Sequence, residues 1–201
     1  MKIKALFMDL GGVLLTNGWD RNSRKKAAEV FKINGTELDE RHHLAFDAYE
    51  CGKMNLDEYL KMVVFYEMRT FTVDAFKDFM FSQSKPIQPM LDFIEEMKQK
   101  HALKVVAVSN EGREISDYRI KNFQLKKAID FFVISGYVGL RKPDPQIFRL
   151  ALDLAQFDPK EVIYVDDRSL FVEIAKSFEM EGIWHQDIDK TKKQIEDKVN
   201  G

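Results

Sequence analysis

Four short segments carry side chains that could do chemistry together. Asp9 follows the apolar run 3–8 (IKALFM). Ser109 and Asn110 follow the run 103–108 (LKVVAV). Asp166 and Asp167 follow the run 162–165 (VIYV). Ahead of that last run lies a cationic loop, Arg141-Lys142-Pro143-Asp144-Pro145. Each run lacks polar alternation, which is how a strand buried on both faces reads. In an open parallel sheet, ligands bind outside the carboxyl ends of the strands. Residues directly after neighbouring runs therefore converge on one rim: carboxylates, a small hydroxyl and a lysine.

That set has a chemical logic. Like unit charges ~4 Å apart cost ~4 kcal/mol at an effective dielectric near 20. Two or three adjacent carboxylates cannot all stay ionised unaided. Mg²⁺ favours one or two carboxylates with water and phosphate oxygens, and resolves the conflict. A carboxylate attacking a phosphate dianion meets the same repulsion, which a divalent cation and a lysine would offset. Ser109 and backbone N–H groups at a helix start can hold phosphate oxygens. The reading is nucleophilic phosphoryl transfer through an aspartyl phosphate. Taken singly, Asp9 could be a turn residue, and Ser109-Asn110 or the 166–169 segment could merely cap helices.

Other chemistries find no support. The chain has no G-x-x-x-x-G-K-[ST], G-x-G-x-x-G, G-x-S-x-G or H-E-x-x-H segment. Its four histidines read as surface or satisfied core residues. Among 201 residues, 45% are hydrophobic and 32% charged, with 31 Lys and Arg against 33 Asp and Glu. The net charge of -2 gives no electrostatic reason to bind nucleic acid or an anionic membrane. A single cysteine, Cys51, allows no internal disulfide and no cysteine zinc site, which suits a reducing cytoplasm. The N-terminal lysines and apolar run resemble a signal peptide, but Asp9 interrupts the run and no small-residue cleavage site follows. No apolar run approaches the ~18 residues a membrane span needs. A cytoplasmic protein without nucleic-acid or membrane partners is expected, its oligomeric state open.

The elements that must position these residues follow from periodicity. Further strand runs lie at 131–135 (FFVIS) and 182–185 (GIWH). Helical stripes alternate with the strands: Leu91, Ile94 and Met97; Ile115, Tyr118 and Phe123; Ile147, Leu150, Ala151 and Leu154; Leu170, Ile174, Ala175 and Phe178. Such alternation predicts an α/β fold, a doubly wound, Rossmann-like parallel sheet. Residues 17–85 break the pattern. They hold only helical stripes: Ala27, Val30 and Phe31; Leu44, Phe46 and Ala48; Leu56, Tyr59, Leu60 and Val63; Phe76, Phe79 and Met80. Breakers fall at Asn34-Gly35, Cys51-Gly52 and 70–72, and Asn55 and Thr72 read as N-caps. A helical-bundle cap domain over 17–85 is expected, inserted into a core domain of 1–16 and 86–201. The segment 84–89 (SKPIQP) is the return linker, and the charged run 187–198 reads as a solvated terminal helix.

Four segments in this order and strand context resemble the haloacid dehalogenase-like hydrolase superfamily: FMDLGGVL (7–14), VVAVSNEG (105–112), GLRKPDPQIF (139–148) and VIYVDDRS (162–169). The likeness is to its phosphatase branch with a helical cap after the first strand, and it covers essentially the whole chain. It implies a Mg²⁺ cofactor, an aspartyl-phosphate intermediate and a small phosphorylated metabolite as substrate, with a sugar phosphate among the options. Carried over by position, it implies Asp9 as nucleophile and metal ligand, and the Gly11 carbonyl as a further ligand. Ser109 would hold the phosphoryl group, with Asn110 beside it. Lys142, which directly precedes the proline, would neutralise charge rather than Arg141. Asp166 would complete the metal site, with Asp167 bound directly or through water.

Two departures bear on activity. The phosphatase motif of the family places a second aspartate two residues after the nucleophile, to protonate the leaving oxygen; here that residue is Gly11. The metal ligand there is main chain and survives, but losing the acid costs ~10²–10⁴ in rate. Either the substrate has a good leaving group, or the cap supplies a proton, with Asp20 a candidate. Alternatively the chain is a weak or inactive member that binds a phosphate ligand in a regulatory role. Phe171 is the second departure, since related sequences often carry Asn there. The dehalogenase branch is disfavoured, because it replaces the paired acids with small polar residues and has tyrosine where Gly11 stands.

Overall fold

The computed structural model describes residues 2–201; Met1, the first residue of the expected 1–16 segment, lies outside the described residues. The apolar runs form five strands: β1 (Ala5–Met8), β2 (Lys104–Ser109), β3 (Phe131–Ile134), β4 (Val162–Asp166) and β5 (Glu181–Trp184). All pair in parallel, in the order β3-β2-β1-β4-β5. Between β1 and β2 come α1 (Arg21–Phe31), α2 (Gly35–Glu50), α3 (Leu56–Val63), α4 (Val73–Ser82) and α5 (Gln88–His101). Then follow α6 (Arg113–Asn122), α7 (Ser135–Val138), α8 (Pro145–Ala155), α9 (Ser169–Ser177) and α10 (Ile188–Asn200). No helix of the described residues is long and apolar enough to cross a membrane.

The sheet is covered on both faces because successive strand residues point to opposite sides. Leu6, Met8, Val105, Ala107, Ile163 and Val165 pack against α5 and α10, through residues such as Ile94 and Ile195. Phe7, Val106, Val108 and Tyr164 pack against α8 and α9, through Phe148 and Ala175. This is the doubly wound α/β sheet that the runs predict. The charged run 187–198 differs from its expectation. Thr191 and Ile195 are buried, because α10 is amphipathic and lays one stripe on the sheet-covering layer.

Helices α1–α4 gather their own apolar cluster, including Ala27, Leu38, Tyr59, Leu60 and Phe76, with Ile115 of α6 joining it. Their ends are set by side-chain caps. Asn55 and Glu58 form a reciprocal capping box on α3, Thr72 accepts from Ala75 N–H, and Asp20 accepts from Ser23 N–H at 2.8 Å. The chain leaves and re-enters through two adjacent segments. Leu15 bridges Pro86, and Thr16 bonds Lys85 through both its N–H and its hydroxyl oxygen, each at 2.9 Å.

The α2 stripe is displaced from the expected one. Leu44 is 87% exposed, whereas Leu38, His42, Ala45 and Tyr49 face inward. A stripe counted from apolar residues alone misses His42, which is buried because Tyr59 satisfies its ring. The Tyr59 hydroxyl lies 2.8 Å from His42 Nδ1 and accepts from Trp19 Nε1 at 2.9 Å. Burial, with Arg24 and His43 nearby, holds His42 down to about 3, so its ring is neutral. Tyr59→Phe leaves buried His42 and half-buried Trp19 without that oxygen. It is expected to cost about 1–3 kcal/mol, measured as a loss in urea unfolding midpoint with an unchanged slope.

Candidate active site

The strand register brings the chemistry together. Met8 pairs with Ala107 on one side and Val165 on the other. The residue after β1 is Asp9, level with Val108 and Asp166, and Ser109 stands one step further along β2. Asp9 N–H donates to Val165 O at 2.9 Å, which holds the loop against β4. The chain winds outward from β1 through β2 to β3, then crosses to β4 and β5. Its direction therefore reverses between β1 and β4, where ligands of open α/β sheets bind.

Lys142 reaches this rim from the loop between α7 and α8 and is fully buried. Its ammonium lies 2.6 Å from Asp166 Oδ2 and 3.0 Å from Asp9 Oδ1. It also donates to Val108 O at 2.9 Å and to the Tyr164 hydroxyl at 3.2 Å. The Phe171 ring covers it, 5.1 Å from Nζ to the centroid. The residue that departs from the family pattern thus gives the ammonium an aromatic face. Asn110, expected beside a phosphoryl group, spends both amide atoms on Lys142: Nδ2 donates to its carbonyl and Oδ1 accepts from its N–H, each at 2.7 Å.

The carboxylates crowd as expected. Asp9, Asp166 and Asp167 each offer an oxygen within 4.8 Å of the others. Asp166 is held on both oxygens: Oδ1 accepts from Arg168 N–H at 2.8 Å, and Oδ2 accepts from Lys142 and from the Tyr164 hydroxyl at 2.5 Å. Burial pushes the Asp9 carboxyl up to about 7; Lys142 opposes that shift, the charge of Asp166 adds to it, and Ser109 lowers it by a hydrogen bond. Burial also works against the Lys142 charge, but Asp9 and Asp166 outweigh it and raise the ammonium above its usual range. Burial and the neighbouring Asp166 raise Asp167 as well.

These residues open on a cavity of about 700 Å³ between the strand ends and α2, with the 17–20 segment ahead of α1. Gly11, Ser109 and Asn110 line it, and so do Trp19, His42, Phe46 and Glu50 from the helical layer. Arg141 turns away from the carboxylates. It pairs with Asp47 and, at 2.8 Å, with Glu50 of α2. Asp20 lines the cavity too, but one of its oxygens caps α1.

Two residues of this site escape a reading of motifs. Tyr164 looks like an ordinary strand apolar residue, and only its position two before Asp166, on the same side of β4, hints that its hydroxyl meets that carboxylate. Asn17 is the other. A Cβ added at Gly11 would meet Asn17 Oδ1 at 2.9 Å, so the asparagine amide fills the space beside position 11. Nothing in the spacing of the motifs signals it.

A sequence model of the haloacid dehalogenase-like hydrolases matches residues 23–184. The chain belongs to this family. Among family relatives, it is 26% identical over 193 residues to a phosphorylated carbohydrates phosphatase of Thermotoga maritima, covering 90% of this chain and 84% of that one. It is 28% identical over 225 residues to the bifunctional epoxide hydrolase 2 of Sus scrofa, covering all of this chain but only 39% of that longer protein. A haloacid dehalogenase family enzyme of Bacteroides thetaiotaomicron, solved with magnesium and inorganic phosphate, superposes with a TM-score of 0.77 at 22% identity. That alignment covers 92% of this chain and 94% of the other, and establishes a shared fold.

Proposed function

We propose that this family member is a Mg²⁺-dependent phosphomonoester hydrolase acting on a small phosphorylated metabolite in the cytoplasm. Residues 1–16 and 86–201 are read as the catalytic core, and 17–85, with α1–α4, as a cap that closes over the cleft. One observation carries the reading: Asp9, Lys142 and Asp166 meet at a single sheet rim, with Lys142 Nζ within 3.0 Å of both carboxylates. The Thermotoga maritima relative, a phosphatase by name, and the magnesium and phosphate in the Bacteroides thetaiotaomicron structure support it.

The donor set fits a hard divalent cation. Three carboxylates share a small volume, and Asp9 Oδ1 is buried with no donor aligned on it as a hydrogen bond, though Lys142 Nζ stands near. Asp9, Asp166 and the Gly11 carbonyl would hold Mg²⁺, with Asp167 direct or through water. When bound, the ion supplies positive charge that lowers the repulsion between acids and phosphate.

The chain's own groups then do the following. The Asp9 carboxylate attacks phosphorus, the bond to the alcohol oxygen breaks, the departing alkoxide takes a proton from solvent, and an aspartyl phosphate forms. Lys142 and Ser109 hold the transferring oxygens, and Asn110 fixes the Lys142 backbone. Water then attacks the phosphorus and gives up a proton to solvent, the bond between Asp9 and phosphorus breaks, and phosphate and the free carboxylate are released. The second reading, a phosphate-binding regulatory protein with little turnover, is favoured by Gly11 and by the amide of Asn17 beside it. Phosphate release from sugar phosphates, alkyl phosphates and p-nitrophenyl phosphate, with and without Mg²⁺, separates the two. Mg²⁺-dependent release supports the hydrolase, and phosphate binding without release supports the regulator.

The missing acid has its own test. Gly11→Asp alone must displace Asn17, so the gain is expected from Gly11→Asp combined with Asn17→Ala. The pair should raise kcat up to ~10²-fold on poor leaving groups, and much less on p-nitrophenyl phosphate. An equal change on both substrates would contradict a proton-donor role for position 11.

A further inference from the structure

We infer that the leaving alcohol of the substrate is apolar, so that this chain takes the phosphate monoester of an aliphatic or aryl alcohol rather than of a polyol. The inference rests on the phosphatase reading and narrows it. It comes from how the cavity around Asp9 uses its polar groups. Trp19 Nε1 and His42 Nδ1 are both taken by the Tyr59 hydroxyl, at 2.9 and 2.8 Å. Arg119 is paired with Glu111 and donates to Ser84 Oγ at 3.0 Å and to Thr16 O at 3.1 Å. Asp47 and Glu50 occupy Arg141. Asn110 is bound to the Lys142 backbone. Asp20 spends one oxygen on the cap of α1, and Arg168 lies 3.6 Å from Asp167; Asn17, Ser169 and the Tyr49 hydroxyl, which has no hydrogen-bond partner, complete the polar side chains of the wall. A polyol entering this cleft would exchange hydrogen bonds to water for walls most of whose donors and acceptors are committed, and each unmatched hydroxyl weakens binding.

What the wall does offer is carbon. Phe46, Ile115, Leu170 and Phe171, with the rings of Trp19 and Trp184, line the same cavity. Leu170 is 54% exposed and Trp184 48%, although both are large apolar residues. They stand at the rim, Leu170 at the start of α9 and Trp184 as the last residue of β5. A phosphate held at Asp9 and Lys142 would send its alcohol across this surface. Covering such residues is favourable in proportion to the apolar area removed from water.

The test is kcat/KM with Mg²⁺ for primary alkyl phosphates from ethyl to octyl, beside glucose 6-phosphate, whose leaving group is also a primary alkoxide. The expected result is a rise of about two- to fourfold per methylene over the first several carbons, with octyl phosphate about 10²-fold above the sugar phosphate. Leu170→Ser should flatten that slope, and Leu170→Met should keep it. A flat series, or a sugar phosphate preferred over octyl phosphate, overturns the inference while leaving the phosphatase reading standing. No turnover of any ester above the Asp9→Asn background, p-nitrophenyl phosphate included, overturns both.

Discussion

Asp9→Asn is expected to lower Mg²⁺-dependent release of phosphate from p-nitrophenyl phosphate by ~10⁴-fold or more, to background, because the attacking oxygen is gone. The same variant should be more stable than the parent in metal-free buffer above pH 7. Burial raises the Asp9 carboxyl to about 7 in the fold, whereas in the unfolded chain it titrates near ~3.9. A raised folded value means that the fold keeps a proton the unfolded chain has lost. The stability this gives is fully present below about pH 4 and is lost as pH rises through about 7. Asparagine carries no such charge, and Lys142 still has Asp166 at 2.6 Å. The gain should be on the order of 1–4 kcal/mol above pH 7 and vanish below pH 4. Thermal unfolding across that range, without and with Mg²⁺, measures it. Added Mg²⁺ should stabilise the parent more than the variant, since a ligand stabilises the state that binds it. A variant less stable than the parent at every pH would contradict the electrostatic account.

Lys142→Met should fail in both respects. It leaves Asp9 and Asp166 buried without their cation and removes the donor to Val108 O. Breaking a buried charge cluster from one side costs about 3–5 kcal/mol. Activity should fall ~10³-fold or more, since the charge facing the phosphoryl group goes with it. Lys142→Arg is not a rescue: four oxygens and the Phe171 ring enclose a compact ammonium, and a planar guanidinium does not fit their geometry. Urea unfolding and phosphate release on the same preparations check both effects. A methionine variant of parental stability would mean that the buried pairs contribute nothing.

The two variants separate what Asp9 and Lys142 do. The sheet was legible because its strands are buried on both faces and read as unbroken apolar runs. Their ends then marked Asp9, Ser109 and Asp166 without any knowledge of strand order. The order and register supplied what the runs could not, namely that Met8 sits between Ala107 and Val165. Lys142 was readable only through its place before Pro143, since a lysine's burial is decided by partners far away in sequence. Tyr164 was hidden because a strand tyrosine reads as apolar bulk, while its hydroxyl is a donor to Asp166. Asn17 was hidden because its role is to fill the space beside a glycine. The α2 stripe slipped because His42 belongs to the buried face through a hydrogen bond with Tyr59, a contact no hydropathy count contains.

The most direct test is to quench the protein during turnover of p-nitrophenyl phosphate with Mg²⁺ and locate any phosphoryl group by peptide mass spectrometry. A phosphoryl group on the peptide containing Asp9, absent from Asp9→Asn and from samples without Mg²⁺, is the predicted result. A phosphoryl group on another residue, or phosphate release that survives Asp9→Asn, would contradict the assignment of Asp9 as the attacking group.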